Sequence, residues 1–519
     1  MITEHDELAE PGFDQKVGRG RALFLAVIWA VPLVFGFGLW TFSSPVGANP
    51  DEPSHIVYAW SIATGQGFGD RQAKCEPSVK SCPPIHIVKI PVGLFEQPGC
   101  YALSPNVPAA CSVGRTSGDV VETNMVRYPP LYYGVIGLVM RSALAVGVPS
   151  DTTGFLARLA SALISITLIA PALALAWARA RRLVPGLILL LTPMSLFMVG
   201  AINPSGVEIT AAMAAATAIV VLARSSRQRP AQVLLTYAIT WLTWSRPLGF
   251  LWAATIVAFG LFYIAISDTV VRQIRQLFRD LAWVIGFAVV NLMGGVMWFA
   301  YASQVRNVGG DGPKISLPAP GLERHIAIFL RWGEMIWEDI GLLGWLDTRL
   351  PLLLMLATVV TLTSVVNNSI FKSDVDVRRR LIAFFYLLAI FVGTTLIMYY
   401  QGFLWQGRYV LPALAAGYLL LVGASKRFNS HDYPGSAVVG WAIGVFGAVW
   451  LYSRHAYGIE VGSRYAVPNV SGGAQWLGPL GNYCYLIFVV AAMTSLPIVL
   501  MVLRRTDRSF ENDNLDVGQ

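Results

Sequence analysis

Charge is what this chain has least of. Asp, Glu, Lys and Arg make up 13% of its 519 residues, about half the quarter usual in soluble domains, and that shortage excludes an ordinary soluble fold. Also missing are the period-two alternation of barrel strands, an internal repeat at a fixed spacing, and the matched pair of broken helices that marks many transporters. No nucleotide-binding glycine loop is present. Cysteine is scarce as well: of five, Cys75, Cys82, Cys100 and Cys111 fall in one stretch and Cys484 lies in an apolar run.

What is present is hydrophobicity, 55% of residues with a mean hydropathy of +0.57. Apolar runs near the roughly 20 residues needed to cross a bilayer recur along the chain. Backbone groups cannot go unpaired in hydrocarbon, so these runs are expected to be helices and the fold class an all-α polytopic membrane protein. The net charge of +8 does not point to nucleic acid, because the basic residues cluster at the ends of apolar runs and read as topology signals. The clusters are Arg179, Arg181 and Arg182; Arg224, Arg227 and Arg229; Arg272, Arg275 and Arg279; Lys372 and Arg378 to Arg380; Lys426 and Arg427; Arg504 and Arg505.

Placing every cluster on the cytoplasmic side gives about twelve transmembrane helices, at 23–43, 153–178, 184–202, 206–223, 231–245, 248–267, 281–302, 350–366, 381–400, 409–425, 436–453 and 482–503. The organisation expected is a cytoplasmic tail over 1–22, one transmembrane domain over 23–503 and a second cytoplasmic tail over 504–519. The first apolar run follows Lys16, Arg19 and Arg21 and is longer than a signal-peptide core, which favours a retained anchor over cleavage near Ala48. Residues 128–148 are apolar enough to span, but spanning would invert every later cluster, so they are read as an outer juxtamembrane helix. Outer loops then cover 44–127, 304–349, with an interfacial helix, and 453–481. Long loops on one face are where polytopic proteins build sites. Four cysteines in the first such loop suit an oxidising compartment. Pairing Cys75 with Cys82 and Cys100 with Cys111 is simplest, other connectivities stay open, and their spacings fit no usual zinc knuckle.

The acidic pair Asp51 and Glu52 follows the first span within Asn49-Pro50-Asp51-Glu52-Pro53-Ser54-His55. It can be a plain helix start, with Asn49 as cap and Pro50 at the first helical position. Carboxylates at a bilayer edge are also retained for chemistry, and one helical turn sets Asp51 and His55 on one face. Arg127 and Tyr128 open the Pro-Pro segment ahead of Tyr132 and Tyr133, and Arg127 is a candidate partner for Asp51; the tyrosines can equally be an interfacial belt. Asn203 and Glu208 lie at an outer turn, Arg246 at the next, and Asp347 in Gly341-Leu342-Leu343-Gly344-Trp345-Leu346-Asp347. Gln406, Arg408 and Tyr409 open a later span. Arg246 and Arg408 stand on the face where the charge pattern disfavours them, and the planar fork of Arg408 suits a phosphate.

Taken together, Asn-Pro-Asp-Glu-Pro-Ser-His, Arg-Tyr-Pro-Pro-Leu-Tyr-Tyr, Asn-Pro-Ser-Gly, Gly-Leu-Leu-Gly-Trp-Leu-Asp and Gln-Gly-Arg-Tyr-Val-Leu-Pro resemble an uncharacterised family of bacterial multi-pass membrane proteins common in actinobacteria. More distantly, the acidic pair and the Pro-Pro-Leu segment resemble the GT-C class of integral-membrane glycosyltransferases. That resemblance implies a GT-C-like fold in the bacterial plasma membrane and a site outside the cytoplasm. The implied partners are a polyprenyl-phosphate sugar donor, a glycan or lipid acceptor for cell-wall or other envelope assembly, and membrane lipids. Catalysis falls on Asp51 as general base and on Glu52, with Arg408 on the phosphate and the other polar residues named above binding substrate. Burial is expected to raise the affinity of Asp51 for a proton toward working pH. No cofactor is required, although a divalent metal ion remains compatible. The rival expectations are a transporter or flippase of a lipid-linked glycan, and a non-catalytic envelope-assembly scaffold.

Overall fold

The structure, a computed structural model, describes residues 19–67, 70–72, 85–266, 270–305, 318, 320–371, 375–402, 404–425, 434–460 and 467–516. Among the described residues eight helices are long and apolar enough to cross a membrane, and shorter apolar helices pack among them. The first is α1 (Arg19–Thr41), followed by the short α2 (Glu52–Ala63). A three-stranded antiparallel sheet is built from β1 (Asp70–Gln72), β2 (Ile85–Lys89) and β3 (Val120–Thr123). Then come α3 (Pro130–Ala145), α4 (Ser150–Arg179), α5 (Leu183–Leu189), α6 (Pro193–Val199), α7 (Pro204–Leu222), α8 (Arg229–Ser245), α9 (Gly249–Ala265) and α10 (Val270–Val305). After α11 (Leu322–Gly341), the hairpin of β4 (Leu342–Leu343) and β5 (Thr348–Arg349) leads to α12 (Leu352–Phe371), α13 (Val377–Gln401), α14 (Gly407–Gly423) and α15 (Pro434–Tyr457). A second hairpin, β6 (Ile459–Glu460) and β7 (Val467–Pro468), precedes α16 (Gly481–Asp516).

At the centre stands α7, buried along its whole length. Its alanines present little side chain, so α4, α8, α9 and α14 approach its backbone closely, as small residues permit in membrane bundles. Asn203 caps it by accepting from the Ser205 amide at 3.0 Å, with Pro204 at the first position. Around the perimeter, α10, α12, α13 and α16 expose apolar side chains such as Val290, Leu353, Phe384 and Ile487. So much exposed apolar surface suits lipid and not water.

The continuous span expected over 184–202 is instead two seven-residue helices, α5 and α6. Pro193 brings no amide hydrogen, and Thr192 Oγ1 accepts from the Ser195 amide at 3.2 Å, so the chain stops and restarts there. Residues 130–145, expected in a juxtamembrane helix, form α3 against α2, where a Cβ at Gly137 would collide with the Ala59 carbonyl oxygen.

The two ends of the bundle differ. At one, arginines close helix C-termini: Arg182 donates to the Gly423 carbonyl, Arg379 to Ala223 at 2.8 Å and Arg224 to Arg179 at 2.8 Å. Arg181 and Arg21 meet Asp507 at 2.6 and 3.2 Å, tying α1 and the turn after α4 to α16. The other end carries α2, α3, the sheet and the hairpins. There Cys100 and Cys111 are joined as a disulfide, whereas Cys75 and Cys82 lie outside the described residues. Arg454 of α15 holds that disulfide loop by donating to the carbonyls of Tyr101, Ser104 and Val107 at 2.7, 3.1 and 2.7 Å.

Candidate active site

The helix start after the first span is not the one expected. Asn49 does not cap; Asp51 occupies the cap position of α2, in the left-handed region with φ 64°, and its side chain makes no capping hydrogen bond. Aspartate is among the few non-glycine residues that visit this region cheaply. The turn sends neighbouring carboxylates to different places.

Glu52 points into a sealed pocket. Its two oxygens take Arg158 Nε at 2.7 Å and Nη2 at 2.6 Å, and also accept from the amides of Gly47 at 2.8 Å and Ile202 at 2.9 Å. Arg158 spends its remaining donors on the carbonyls of Thr41, Ser44 and Pro45. Both side chains are wholly buried and saturated, so the expected catalytic role of Glu52 is replaced by anchoring of the chain between α1 and α2. Sequence reasoning did not single out Arg158. The available signal was a lone guanidinium early in an apolar helix, which hydrocarbon disfavours unless it is paired.

Asp51 has a different environment. Its side chain is 39% exposed, and Oδ2 meets Nη2 of Arg408, itself 3% exposed, at 2.7 Å. Arg127, the candidate partner, does not form this pair: it is exposed and its carbonyl accepts from Trp298 at 3.1 Å. Partial enclosure pushes the Asp51 carboxyl upward. Arg408, by charge and hydrogen bond, with His55 and Arg246, outweighs that and holds it below the ordinary carboxylate range. The expected upward shift is thus reversed, because a guanidinium lies within hydrogen-bond reach. Burial drives the His55 imidazole down to about 3, opposed by Asp51 and reinforced by Arg408 and Arg246. His55 is therefore neutral near pH 7, and the standing charges beside Asp51 are the two guanidiniums.

His55 Nδ1 is hydrogen-bonded to the Tyr133 hydroxyl at 2.7 Å, and its ring stands edge-on to Tyr128 at 5.5 Å. Arg246, at the C-terminal end of α8, lies over the Tyr409 ring at 4.4 Å and near Tyr128 at 5.9 Å. It donates to Ser205 Oγ at 2.9 Å and sits 3.8 Å from Glu208. Arg408 lies 5.4 Å from the same Tyr409 ring. Two guanidiniums thus flank one tyrosine, next to one half-exposed carboxylate. Asn203 supports the strand of chain beneath, with Nδ2 donating to Asn49 Oδ1 at 3.2 Å.

Arg408 owes its place to α11. Glu338 Oε2 accepts the Gly407 amide at 2.7 Å and Oε1 pairs with Arg331 at 2.6 Å, while Arg331 Nε donates to the Trp405 carbonyl at 2.8 Å. The helices approach so closely that a Cβ on Gly407 would lie 2.6 Å from Asp339 Oδ1. Asp339 itself is buried, its Oδ1 has no partner, and burial followed by the charge of Glu338, against Arg331, raises its carboxyl well above the ordinary range. Glu338, Asp339 and Arg331 were legible only as charges on an amphipathic helix. Asp347, by contrast, is 3.5 Å from Arg454 and belongs to the disulfide-loop framework.

Two cavities meet here. One is a narrow cleft, too tight as it stands to admit a water molecule, lined by Pro50, Met198, Glu338, Leu346, Gln406 and Arg408. A wider pocket of about 610 Å³ lies between α11, the β4–β5 hairpin and α12, lined by Arg331, Glu334, Trp337, Arg349, Leu352 and Met355 among others; Glu338 and Leu346 belong to both. Among the described residues no group of three or more His, Cys, Asp or Glu converges as a metal site would need.

A family model described as predicted membrane protein (DUF2142) matches residues 33–416. No curated protein matches the sequence significantly. Among solved structures the chain is similar to ArnT from Cupriavidus metallidurans bound to undecaprenyl phosphate, with 17% identity, a TM-score of 0.42, and 93% of this chain and 72% of that chain covered.

Proposed function

The chain belongs to the DUF2142 family of predicted membrane proteins, and from that premise and the site geometry we propose that it is a GT-C-type membrane glycosyltransferase. It moves a sugar from a polyprenyl-phosphate donor to a cell-envelope acceptor on the extracytoplasmic face, with inversion. The observation that carries the reading is the half-exposed Asp51 held 2.7 Å from a buried Arg408. A carboxylate can take the acceptor's hydroxyl proton, and a guanidinium can take the charge that develops on a departing phosphate.

Other features support the same reading. Arg246 places a second positive charge across Tyr409. The pocket between α11 and α12 is lined both by charged groups and by Leu342, Leu350, Leu352 and Met355, a mixture that suits an amphiphilic donor. Leu352, which lines the pocket, and its neighbour Leu353 are exposed at the lipid-suited perimeter. The site lies at the end of the bundle opposite the arginine-capped helix ends, and the positive-inside pattern supports reading that end as extracytoplasmic.

The test is to incubate purified protein with a panel of polyprenyl-phosphate sugars and an envelope acceptor extract, alongside Asp51→Asn. The enzyme reading expects transfer by wild type and a loss of about 10²-fold or more in the variant, with lipid binding intact. Equal behaviour of the two proteins, or no donor consumed while control enzymes work, overturns it in favour of a scaffold.

A further inference from the structure

Two arginine–carboxylate pairs lie one residue apart in this chain, and they are built in opposite ways. Arg158 is saturated: every nitrogen of its guanidinium has a partner, and so has every oxygen of Glu52. Arg408 is equally buried but underused. Its one short hydrogen bond is to Asp51; Nη1 reaches only the Pro50 carbonyl at 3.5 Å, and Nε has no partner. A buried, unpaired donor on a charged group is costly, so a ligand oxygen that reached this nitrogen would be held by a charge-assisted hydrogen bond. Arg408 also lines the narrow cleft that adjoins the wider pocket.

Asp51 is the matching half. As a helix cap its carboxylate would ordinarily turn back to the first amides of α2, yet it is turned outward to Arg408 from a left-handed backbone. While that contact lasts, Asp51 is a poor base, since a proton would have to displace a guanidinium.

We propose that Arg408 is a latch shared between Asp51 and the donor's phosphate: the phosphate takes the guanidinium, Asp51 is released, and only then does it become the base for the acceptor. The inference rests on the glycosyltransferase reading and adds an order to it, donor before acceptor activation. In the step itself the acceptor O–H bond breaks and its proton goes to an Asp51 oxygen. The acceptor oxygen bonds to the anomeric carbon, the bond from that carbon to the phosphate oxygen breaks, and its electron pair leaves with the polyprenyl phosphate, now held by Arg408. Asp51 then returns its proton to solvent and rebinds Arg408 as the lipid departs. Without donor the base stays masked, which protects the site from activating water in the absence of substrate.

The groups that face Asp51 are Arg408 and Tyr409 from α14, Arg246 beyond α8, His55 from α2 and Tyr128 before α3. Of these, Arg408 alone is hydrogen-bonded to it, so the exchange can be read there. The experiment measures binding of a short-chain polyprenyl monophosphate to the full chain in nanodiscs by calorimetry, in two buffers of different ionisation enthalpy. Asp51→Asn is expected to bind about 10-fold tighter than wild type, since a neutral amide competes for Arg408 far more weakly than a carboxylate, and Arg408→Gln about 10- to 100-fold more weakly. Wild type should take up more protons on binding than Asp51→Asn, increasingly as pH falls from 7 to 5. Asp51→Gly, which also accepts φ 64°, should match Asp51→Asn and guards against an effect of the amide. Equal affinity of wild type and both Asp51 variants, or equal proton uptake, overturns the latch and leaves the transferase reading standing. No phosphate binding by wild type removes both.

Discussion

Removing one negative charge from each of two adjacent carboxylates should have unlike results. In Glu52→Gln an amide replaces an oxygen that receives hydrogen bonds at 2.6 to 2.9 Å from Arg158 and from the Gly47 and Ile202 amides. An NH₂ group must then face a donor, and Arg158 keeps its charge in a fully buried site without a counter-ion. Breaking one side of a buried pair costs about 3–5 kcal/mol. In Asp51→Asn the new side chain keeps an acceptor oxygen for Arg408, suits the left-handed backbone, and sits where water can reach; the loss should stay near ~1 kcal/mol. Thermal unfolding of the purified protein in detergent checks the contrast. Glu52→Gln should melt far below wild type, and Asp51→Asn close to it while inactive. The double variant Glu52→Leu with Arg158→Met should be more stable than Arg158→Met alone, because both charges leave together. If the two single variants melt alike, or Glu52→Gln is inactive at wild-type stability, the division of roles between these neighbours is wrong.

Two further outcomes follow from the contact of α11 with α14. Gly407→Ala forces a methyl group against the Met335 carbonyl and Asp339 Oδ1, which should cost about 1–3 kcal/mol and weaken polyprenyl monophosphate binding by displacing Arg408; unchanged binding would show that Arg408 is not positioned this way. Asp339 has a raised carboxyl in the folded state, so below about pH 4 its burial carries no ionic penalty, and above that the unfolded chain ionises first and stability falls by about 1.4 kcal/mol per pH unit until the folded carboxyl also ionises. Asp339→Asn should therefore gain in melting temperature over wild type as pH rises from 5 to 8, and parallel pH profiles would refute the assignment.

The helical class and most spans were legible because hydrocarbon leaves so little choice: long apolar runs ending in basic clusters can hardly be anything else. The break at Thr192-Pro193 was legible in principle, since proline and a capping residue stand together inside one run, but hydropathy alone reads across them. Arg246 and Arg408 stood out by defying the charge pattern, and they are the pair that flank Tyr409 beside Asp51. Which acid meets which base was not legible. Asp51 and Glu52 have nearly the same chemistry, and only the sign of one φ angle sends the first to α14 and the second to α4. Arg127 lies nearer to Asp51 in the chain than Arg408 does, which favoured it in a linear reading, but the bundle sets α14 beside α2. The sealing role of Arg158 and the clamp of Glu338 on Gly407 depend on packing between helices more than 60 residues apart, and no local pattern encodes that.

The backbone at position 51 imposes a filter of its own. Only aspartate, asparagine and glycine settle there without strain, so drift at this site has few exits. A relative that keeps the architecture after abandoning the reaction should carry one of the two inert alternatives. On the transferase reading, position 51 is then a marker that separates working copies from retired ones by a single letter.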